Sequence, residues 1–487
     1  MFASLFFYGF WNPSYLPLML FSIGFNYYLG KRLSEAVNNN RRQQKPKGLL
    51  IFGISANLGL LAYFKYAGFF VKNISLVLAT QWNISNVVLP LAISFFTFQQ
   101  IAYLVDAWKG KTKEYSFLHY CLFVCFFPQL IAGPIVHHKE ILPQFLRPEN
   151  IKPQAANFAI GITIFAIGLF KKTVIADNLS IYVSPVFDSS DLTEKIDFFT
   201  AWGGALAYTL QLYFDFSGYS DMAIGCARLF GVKLPINFFS PYKATSIVDF
   251  WRRWHITLSR FLRDYLYIAL GGNRHGKVRR YNNLFITMVL GGLWHGAGWT
   301  FIVWGGLHGF YLIVNHTWSY LLKTLNFSIQ DYKTYRLLSW VLTLLAVIVG
   351  WVYFRAPNIE QANIILFAMA GEYGANLPSG IYVRLGEFTH WLTAINIGVS
   401  QGSGKQLALN AVWVLGAGVI ALKAPNVVEI FAVKEKISCD STIPFQLTPL
   451  RWYQWDYNNR WVAQTAVMLT FGILTLSQVS EFLYFQF

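Results

Sequence analysis

The stretch WRRWHITLSRFLR occupies residues 251–263, and the stretch LWHGAGW occupies residues 293–299. The first is basic and aromatic, whereas the second places His295 in an apolar run long enough to cross a membrane. An ionisable group at mid-bilayer costs roughly 2.5 to 3.5 kcal/mol when it is charged. A neutral imidazole costs less, but it still needs a polar partner or a wet cavity. His255 and His295 therefore predict a reaction chamber beside a surface rich in Arg and Trp.

Composition indicates a membrane protein. The chain has 487 residues, of which 55% are hydrophobic, 18% aromatic and only 13% charged. A soluble globular chain would carry about 25% charged residues. A helix needs about 20 apolar residues to cross the hydrocarbon core. Runs of that kind lie near residues 15–30, 48–70, 87–107, 155–176, 197–214, 282–300, 301–322, 335–355, 404–424 and 461–480.

Further apolar runs are short or interrupted and lie at residues 2–12, 116–136, 218–230 and 359–371. They suit half-spanning or interfacial pieces packed against protein, because irregular backbone cannot face lipid. Two polar segments, 372–403 and 425–460, interrupt the C-terminal third. The sequence therefore predicts an all-α polytopic membrane protein with about ten to twelve transmembrane helices and additional re-entrant or interfacial helices.

The net charge of +16 raises the question of nucleic-acid binding. The basic residues instead lie in loops beside apolar runs, where the positive-inside bias and anionic lipids would place them. The sequence therefore predicts contact with membrane lipids and no nucleic-acid partner. The segments 31–47 and 242–281, both rich in Lys and Arg, are predicted to face the cytoplasm, and the loop at 71–86 to face outward. Lys171 and Lys172 fit this scheme poorly.

The cysteines indicate neither a metal centre nor a disulfide. Cys121, Cys125, Cys226 and Cys439 show no zinc-binding or disulfide spacing. Cys121 and Cys125 lie one helical turn apart in an apolar run, so packing is the preferred interpretation over a redox or metal role. The sequence therefore predicts no metal and no resident cofactor.

The segment at 251–263 is predicted to form one interfacial helix. Apolar and aromatic residues share one face at helical spacing; they are Trp251, Trp254, His255, Leu258, Leu262 and Tyr265. The arginines occupy the flanks, as in a membrane-surface helix with snorkelling side chains. His255, on the apolar face, is either a satisfied core residue or part of the reaction chamber.

His295 has bulky aromatic neighbours, Trp294 and Trp299, separated by small residues at 296–298. This pattern can line a narrow tunnel in which an imidazole meets a substrate. The alternative is a helix–helix packing site, where small residues are common. His308, in the stretch GGLHG at 305–309, repeats the pattern thirteen positions later. Chemistry and packing both remain open for these two histidines.

Six blocks in this order resemble the membrane-bound O-acyltransferases, specifically their bacterial alginate O-acetylation branch. The blocks are LPLAISFFTFQ at 89–99, FPQLIAGPI at 127–135, YFDFSGYSDMA at 213–223, NF and SPY within 237–242, the block at 251–276 and the block at 293–309. The resemblance covers about residues 1–370 well and implies helices around a central tunnel. The predicted domains are a transmembrane catalytic core at 1–370 and, at 371–487, C-terminal transmembrane helices with two polar loops.

The resemblance implies acyl transfer at a buried histidine. His295 matches the family's essential histidine, and His255 matches its second conserved polar position. The pKa of a free imidazole is about 6.5, so the ring can accept a hydroxyl proton as attack begins. His255 would orient the acceptor or polarise the thioester carbonyl. The residues expected to bind donor or substrate, or to support the site, are Trp251, Arg253, Trp294, Trp299, Gln99, Asp215 and His308.

Three functions compete. The first is an acetyltransferase that takes acetyl from a cytoplasmic thioester, acetyl-CoA, for O-acetylation of an extracytoplasmic polysaccharide such as alginate. The chain length and the polar C-terminal third favour it. The second is D-alanyl transfer from a carrier protein to teichoic acid. The third is a membrane transporter, but the internal repeats and paired broken helices common in that class are not visible in the sequence.

The resemblance also implies a second protein and a location. The donor is cytoplasmic and the polymer lies beyond the membrane, while each polar segment is smaller than a domain that usually folds unaided. The expected partner is an extracytoplasmic transferase of the SGNH or esterase type, which passes the acyl group to the polysaccharide. The stretch WYQW at 452–455 suits a docking surface or a membrane-interface belt. The expected location is the bacterial cytoplasmic (inner) membrane, with multiple passes.

Overall fold

The computed structural model describes residues 1–39, 46–82, 88–112, 116–131, 133–188, 196–401, 404–434 and 453–476. Within these ranges nearly every regular element is a helix, which confirms the predicted all-α class. The exception there is a two-stranded parallel sheet. Helices dominate because each one satisfies its own backbone hydrogen bonds, as a chain in lipid requires.

The elements follow one another along the chain as short and long helices with few strands. The α-helices are α1 (Phe2–Trp11), α2 (Leu16–Asn39), α3 (Lys47–Leu61), α4 (Ala67–Val77), α5 (Ile93–Trp108), α6 (Phe117–Cys125), α7 (Phe127–Leu130), α8 (His138–Phe145), α9 (Ala155–Leu169), α10 (Asp177–Phe187), α11 (Phe198–Leu229), α12 (Ile247–Arg253), α13 (Ile256–Phe261), α14 (Gly276–His295), α15 (Trp299–Thr324), α16 (Lys333–Arg355), α17 (Ile359–Met369), α18 (Ser379–Tyr382), α19 (Phe388–Ala394), α20 (Gly404–Lys423), α21 (Val427–Phe431) and α22 (Asn459–Leu474). The π-helical segments are Ala62–Tyr66, Phe170–Ala176 and Leu262–Tyr267. The 3-10 segments are Pro13–Tyr15, Pro148–Ile151, Pro241–Lys243, Ile329–Asp331 and Val383–Leu385. The strands are β1 (Ala375–Pro378) and β2 (Ile397–Ser400), with Ala375 opposite Ile397.

Four helical stretches in the described ranges are long and apolar enough to cross a membrane: Lys47–Val77, Ala155–Phe187, Lys333–Arg355 and Gly404–Lys423. They coincide with predicted runs. The helices α2, α11 and α15 have 24, 32 and 26 residues, so they are also long enough, but polar side chains interrupt their apolar character. The predicted total of about ten to twelve spans remains a prediction.

The sequence predicts that the apolar runs at 197–214 and 218–230 are separate pieces. They are not, because α11 continues through both without a break. The polar residues between the two runs are buried against protein, where Asp215 meets Lys172 at 2.9 Å. A polar interruption in sequence therefore does not interrupt the helix, since the carboxylate has its counter-ion inside the fold.

The segment at 251–263 is not one helix, so that prediction is wrong. The helix α12 ends at Arg253 and α13 begins at Ile256. His255 lies between them with a φ of 42°, in the left-handed region. Helical periodicity does not reveal this break, because both short helices keep apolar residues buried on either side of it.

The chain forms two compact units, of which the first consists of Met1–Phe165, Ser220–Asn237 and Thr257–Leu270. An amide cluster holds its helices α2, α3 and α5 together. Asn26 and Asn57 exchange hydrogen bonds of 3.1 and 2.7 Å, and Asn26 also donates to Gln100. Hydrogen bonds of this kind join helices where burial from lipid alone supplies little driving force.

The second unit consists of Ala166–Tyr219, Phe238–Ile256 and Gly271–Phe487. Its helices α14 and α15 form a tight antiparallel hairpin. A Cβ on Gly292 would overlap the carbonyl oxygen of Phe301, and one on Gly305 would overlap that of Met288. The missing side chains let the two backbones approach closely, which presses the C-terminal end of α14 against α15.

The predicted polar segment at 372–403 contains regular structure, namely β1, α18, α19 and β2. Farther on, Trp455 is only 4% exposed, and its ring lies 5.2 Å from that of Phe431. Trp455 is therefore a packing residue of this region and not an exposed docking residue, while Trp452 lies outside the described residues. The division into domains at residue 370 remains a prediction.

Candidate active site

His255 owes its position to the break between α12 and α13. Its side chain is fully buried, and its ring lies 4.8 Å from that of Phe216, edge to face, and 6.4 Å from that of Phe238. A positive φ in a residue other than glycine costs of order 1 to 3 kcal/mol and persists only where the surroundings enforce it. The backbone at this point is therefore held in a strained conformation that turns an imidazole into the protein interior.

His295 is the last residue of α14, and it is 8% exposed. Three aromatic rings surround its imidazole: Trp294 at 5.0 Å, Trp304 at 5.2 Å and Phe354 at 5.2 Å, all edge to face. The chain leaves the helix at Gly296, where a Cβ would overlap the ring of Phe301. The helix end and the glycine together place a titratable group in an aromatic chamber.

His308 lies on α15 and is also fully buried. The indole Nε1 of Trp251 donates to its Nδ1 at 3.3 Å. Among the described residues its Nε2 has no hydrogen-bond partner, and a Cβ on Gly350 would lie 2.9 Å from that atom. The Trp251 bond requires a lone pair on Nδ1, so it holds His308 in the neutral form with the proton on Nε2.

These histidines belong to one group of touching rings, which we name the histidine–tryptophan cluster. Trp294 connects the first two histidines, since its ring lies 6.5 Å from that of His255 and 5.0 Å from that of His295. Trp304 connects His295 with His308, at 5.2 and 4.8 Å. The members are His255, His295, His308, Trp251, Trp294 and Trp304, and all lie in the second unit.

Four residues singled out from the sequence lie outside this cluster as defined. Trp299, the first residue of α15, is 54% exposed. Gln99 is buried on α5, in the first unit. The guanidinium of Arg253 binds Asp249 at 2.9 Å and lies over the ring of Phe239. Asp215 pairs with a buried lysine. Their roles toward donor or substrate remain predictions.

The sequence reasoning missed Trp304, which touches two of the three histidines and is 1% exposed. Its signal was available, because Trp304 precedes His308 by one helical turn. It also missed Lys172 as the partner of Asp215. In the described ranges no group of three His, Cys, Asp or Glu side chains could hold a metal ion. The predicted absence of a metal stays a prediction.

Comparison with known proteins also indicates an acyltransferase. A model of MBOAT, the membrane-bound O-acyltransferase family, matches residues 110–355. The peptidoglycan O-acetyltransferase of Helicobacter pylori is 47% identical over 400 residues, which cover 77% of this chain and 74% of that protein. The probable alginate O-acetylase AlgI of Pseudomonas aeruginosa is 42% identical over 365 residues, or 74% and 67%. A teichoic acid D-alanyltransferase of Streptococcus thermophilus is 30% identical over 244 residues, or 48% and 59%. The family match includes all three histidines of the cluster.

Proposed function

We propose that this chain moves an acetyl group from a cytoplasmic thioester toward an extracytoplasmic polysaccharide. The proposal starts from its family, because the chain belongs to the membrane-bound O-acyltransferases. The resemblance found in the six sequence blocks is confirmed, and the protein is a membrane-bound acyltransferase. The observation that carries the proposed mechanism is the burial of His295 and His255 in one cluster of aromatic rings.

The proposed chemistry uses His295 as the general base. An alcohol is a weak nucleophile at neutral pH, so its proton must leave as the oxygen attacks the thioester carbonyl. The imidazole accepts that proton, the new C–O bond forms and the C–S bond breaks. The departing thiolate then takes the proton, so the products are an acetyl ester and a free thiol. His255 would orient the acceptor hydroxyl or polarise the carbonyl, as a second polar group in the same chamber.

The extent of similarity favours acetyl over D-alanyl transfer. The O-acetylating relatives match 77% and 74% of the chain, whereas the D-alanyltransferase matches 48%. Measuring acetyl and D-alanyl esters on surface polymers, in cells with and without this protein, separates the two reactions. Acetyl esters should depend on the protein. Loss of D-alanyl esters alone would favour the second reaction, and unchanged esters with altered metabolite uptake would favour a transporter.

Acetyl-CoA fits the basic surface at the start of α14. One Nη of Arg280 lies 3.1 and 3.3 Å from the two ring nitrogens of His316, and Lys277 lies over the ring of Tyr320 at 3.6 Å. In the part of the chain that the structure describes, neither Arg280 nor Lys277 forms an ion pair with a carboxylate. Cations without acidic partners suit the phosphates of coenzyme A. From Arg280 to His295 the helix rises about 22 Å, a distance that a long pantetheine arm can cover.

Replacing the cation tests this donor assignment. In membrane vesicles with the cytoplasmic face exposed, Arg280→Gln should raise the KM for acetyl-CoA several-fold. It should leave the KM for acetyl-pantetheine, which lacks the nucleotide phosphates, unchanged. Arg384→Gln, which removes another arginine of the second unit, is the control. An equal change for both donors would contradict a phosphate contact at Arg280.

The proposed location is the bacterial cytoplasmic membrane, crossed several times, with the start of α14 in the cytoplasm. Val278 is 75% exposed, so a cysteine there is open to a reagent. In a background without native cysteines, Val278→Cys should react with an impermeant thiol reagent only after the cytoplasmic side is opened. Trp82→Cys, at a site 60% exposed in the loop predicted to face outward, is the control. Labelling of Val278→Cys in intact cells would reverse the orientation.

The proposed pathway ends on a second, extracytoplasmic transferase of the SGNH or esterase type. Between α17 and α20 the described elements are short. Beside β1 and β2 in this region, Val383 is 78% exposed and Trp391 is 54% exposed. We assign this small exposed apolar surface to such a partner. Vesicles with this protein alone, acetyl-CoA and polymer should acetylate slowly, and addition of the partner should accelerate the reaction. Full-rate acetylation by this protein alone would contradict the relay.

A further inference from the structure

A buried ionic group lies within the candidate span Ala155–Phe187. Lys172 is 4% exposed, and its Nζ lies 2.5 Å from Asp177 and 2.9 Å from Asp215. Both carboxylates are buried, at 6% and 2% exposure. A charge placed inside a membrane protein is costly, so such groups usually serve a function or bind a defined partner. We name these three residues the ionic triad.

The π-helical segment Phe170–Ala176 explains the pairing of Lys172 with Asp177. The two residues are five positions apart, a spacing that places side chains about 140° apart around a regular α-helix. Here the backbone N–H of Asp177 donates to the carbonyl oxygen of Lys172, which closes one wide turn and aligns the two side chains. π-Helical turns are rare and occur frequently at functional sites.

The third member of the triad, Asp215, lies on α11 directly before Phe216. The ring of Phe216 lies against that of His255, at 4.8 Å between centroids. It also lies 5.0 Å from the ring of Phe238, which is itself 6.4 Å from the same imidazole, so the three rings touch one another. The ion pair therefore fixes the helical turn whose next side chain packs against a histidine of the proposed site.

Close backbone packing makes this turn of α11 sensitive to the ion pair. A Cβ on Gly218 would lie 2.8 Å from the carbonyl oxygen of Gly168 and 3.2 Å from the backbone nitrogen of Lys172. The two helices touch through their backbones here, so rotation or sliding of α11 would separate Asp215 from Lys172. The ionic contact and the glycine contact thus specify the same register of the two helices.

We propose that Lys172 is a positioning residue, which acts through Asp215 and Phe216 to hold the imidazole of His255 in place on its strained, left-handed backbone. The inference rests on the proposed function, since it gives His255 a role in acyl transfer. It assigns a purpose to the charges within the span: they fix the helix that supports the imidazole from one side. Lys172 itself touches neither donor nor acceptor in this assignment.

A purely structural ion pair is the alternative, and neutral variants separate the two. Lys172→Met alone leaves two buried carboxylates without their cation and should fail to fold. The triple variant Lys172→Met, Asp177→Asn, Asp215→Asn removes every charge at nearly constant volume and should insert. We expect it to lower kcat for thiol release from acetyl-CoA by about tenfold to a hundredfold, since small misplacements at a site cost that much. The KM for acetyl-CoA should not change.

A matched pair of phenylalanines tests the route through Phe216. Phe216→Leu should reduce kcat, whereas Phe214→Leu, at a residue on the same helix that is 1% exposed, should not. Combining Phe216→Leu with the triple neutral variant should add little, because both changes act on the same imidazole. A structural role would predict independent, multiplicative losses.

The experiment uses the full chain in inverted membrane vesicles from cells that produce the polymer, at equal membrane abundance of each variant. If the unaltered protein releases no thiol and forms no ester, the proposed function fails. If it is active and the neutral triple variant keeps its full kcat, or if the losses multiply, the positioning role is overturned. Retained KM with reduced, non-multiplicative kcat supports it.

Discussion

The amide cluster of the first unit and the histidine–tryptophan cluster of the second use buried polar groups differently. Asn26 and Asn57 exchange two hydrogen bonds, so each amide largely satisfies the other. His295 instead lies among three aromatic rings. The edges and faces of these rings give the chamber its shape. The paired amides join helices, whereas the aromatic chamber holds the titratable ring that we propose meets a ligand.

The largest expected effect is at His295. His295→Ala should reduce acetyl transfer by about 10² to 10⁴-fold, the usual cost of removing a general base. Membrane abundance should remain normal, because the lost ring lies among aromatic rings that keep their own packing. Acetyl-ester content of the polymer, normalised to protein in the membrane, measures the loss. His119→Ala, which removes a histidine bonded to Ser116 at the start of α6, is the control. Near-normal esters in His295→Ala would end the assignment.

His255 should show a graded response. Its φ of 42° suits Asn better than Ala, because Asn tolerates the left-handed region. His255→Ala should lower acetyl transfer by about ten- to a hundredfold, while His255→Asn, which keeps a hydrogen-bonding group, should retain more activity. The acetyl-ester content of the two variants shows whether His255 acts through its imidazole, through hydrogen bonding or only through packing. Equal losses would indicate imidazole chemistry at this position, and no loss in either would return His255 to packing.

The amide cluster should affect stability and leave chemistry unchanged. Asn26→Leu removes one hydrogen-bond partner of both Asn57 and Gln100, and an unsatisfied buried polar group costs about 1 to 3 kcal/mol. We expect a lower apparent Tm in detergent, with unchanged acetyl transfer per folded molecule. Asn178→Leu should lower it less, because Asn178 is half-buried and bonds within its own helix. Loss of transfer without loss of stability in Asn26→Leu would remove the distinction between the two clusters.

The smallest expected effect is at Trp304. In the described part of the chain its Nε1 has no hydrogen-bond partner, so Trp304→Phe removes ring area without breaking a hydrogen bond. The ring contacts that position 304 makes with His295 and His308 should weaken, so kcat should fall by less than about tenfold. Trp318→Phe, at a site 46% exposed on the same helix, should leave kcat unchanged. Equal rates for both variants would show that the chamber tolerates a smaller ring.

The sequence by itself determined the class and the family, and it singled out His295 as a candidate. The apolar runs predict helices because a membrane requires internal hydrogen bonding, and that pattern is local. The stretch LWHGAGW identifies His295 because an imidazole in an apolar run is unusual by composition alone. Six ordered blocks were enough to indicate the acyltransferase family. None of these conclusions needs contacts between distant residues.

Only the tertiary structure decided where the polar groups inside the helices point. Periodicity places His255 on the face of one helix, but the chain breaks at that residue and holds it at positive φ, a conformation imposed by surrounding packing. Likewise, the sequence scheme places basic residues in loops beside the membrane, but Lys172 is buried within a helical span. A π-helical turn brings Asp177 to it, and α11 brings Asp215. Side-chain partners across helices depend on register and close packing, and one-dimensional spacing does not encode either.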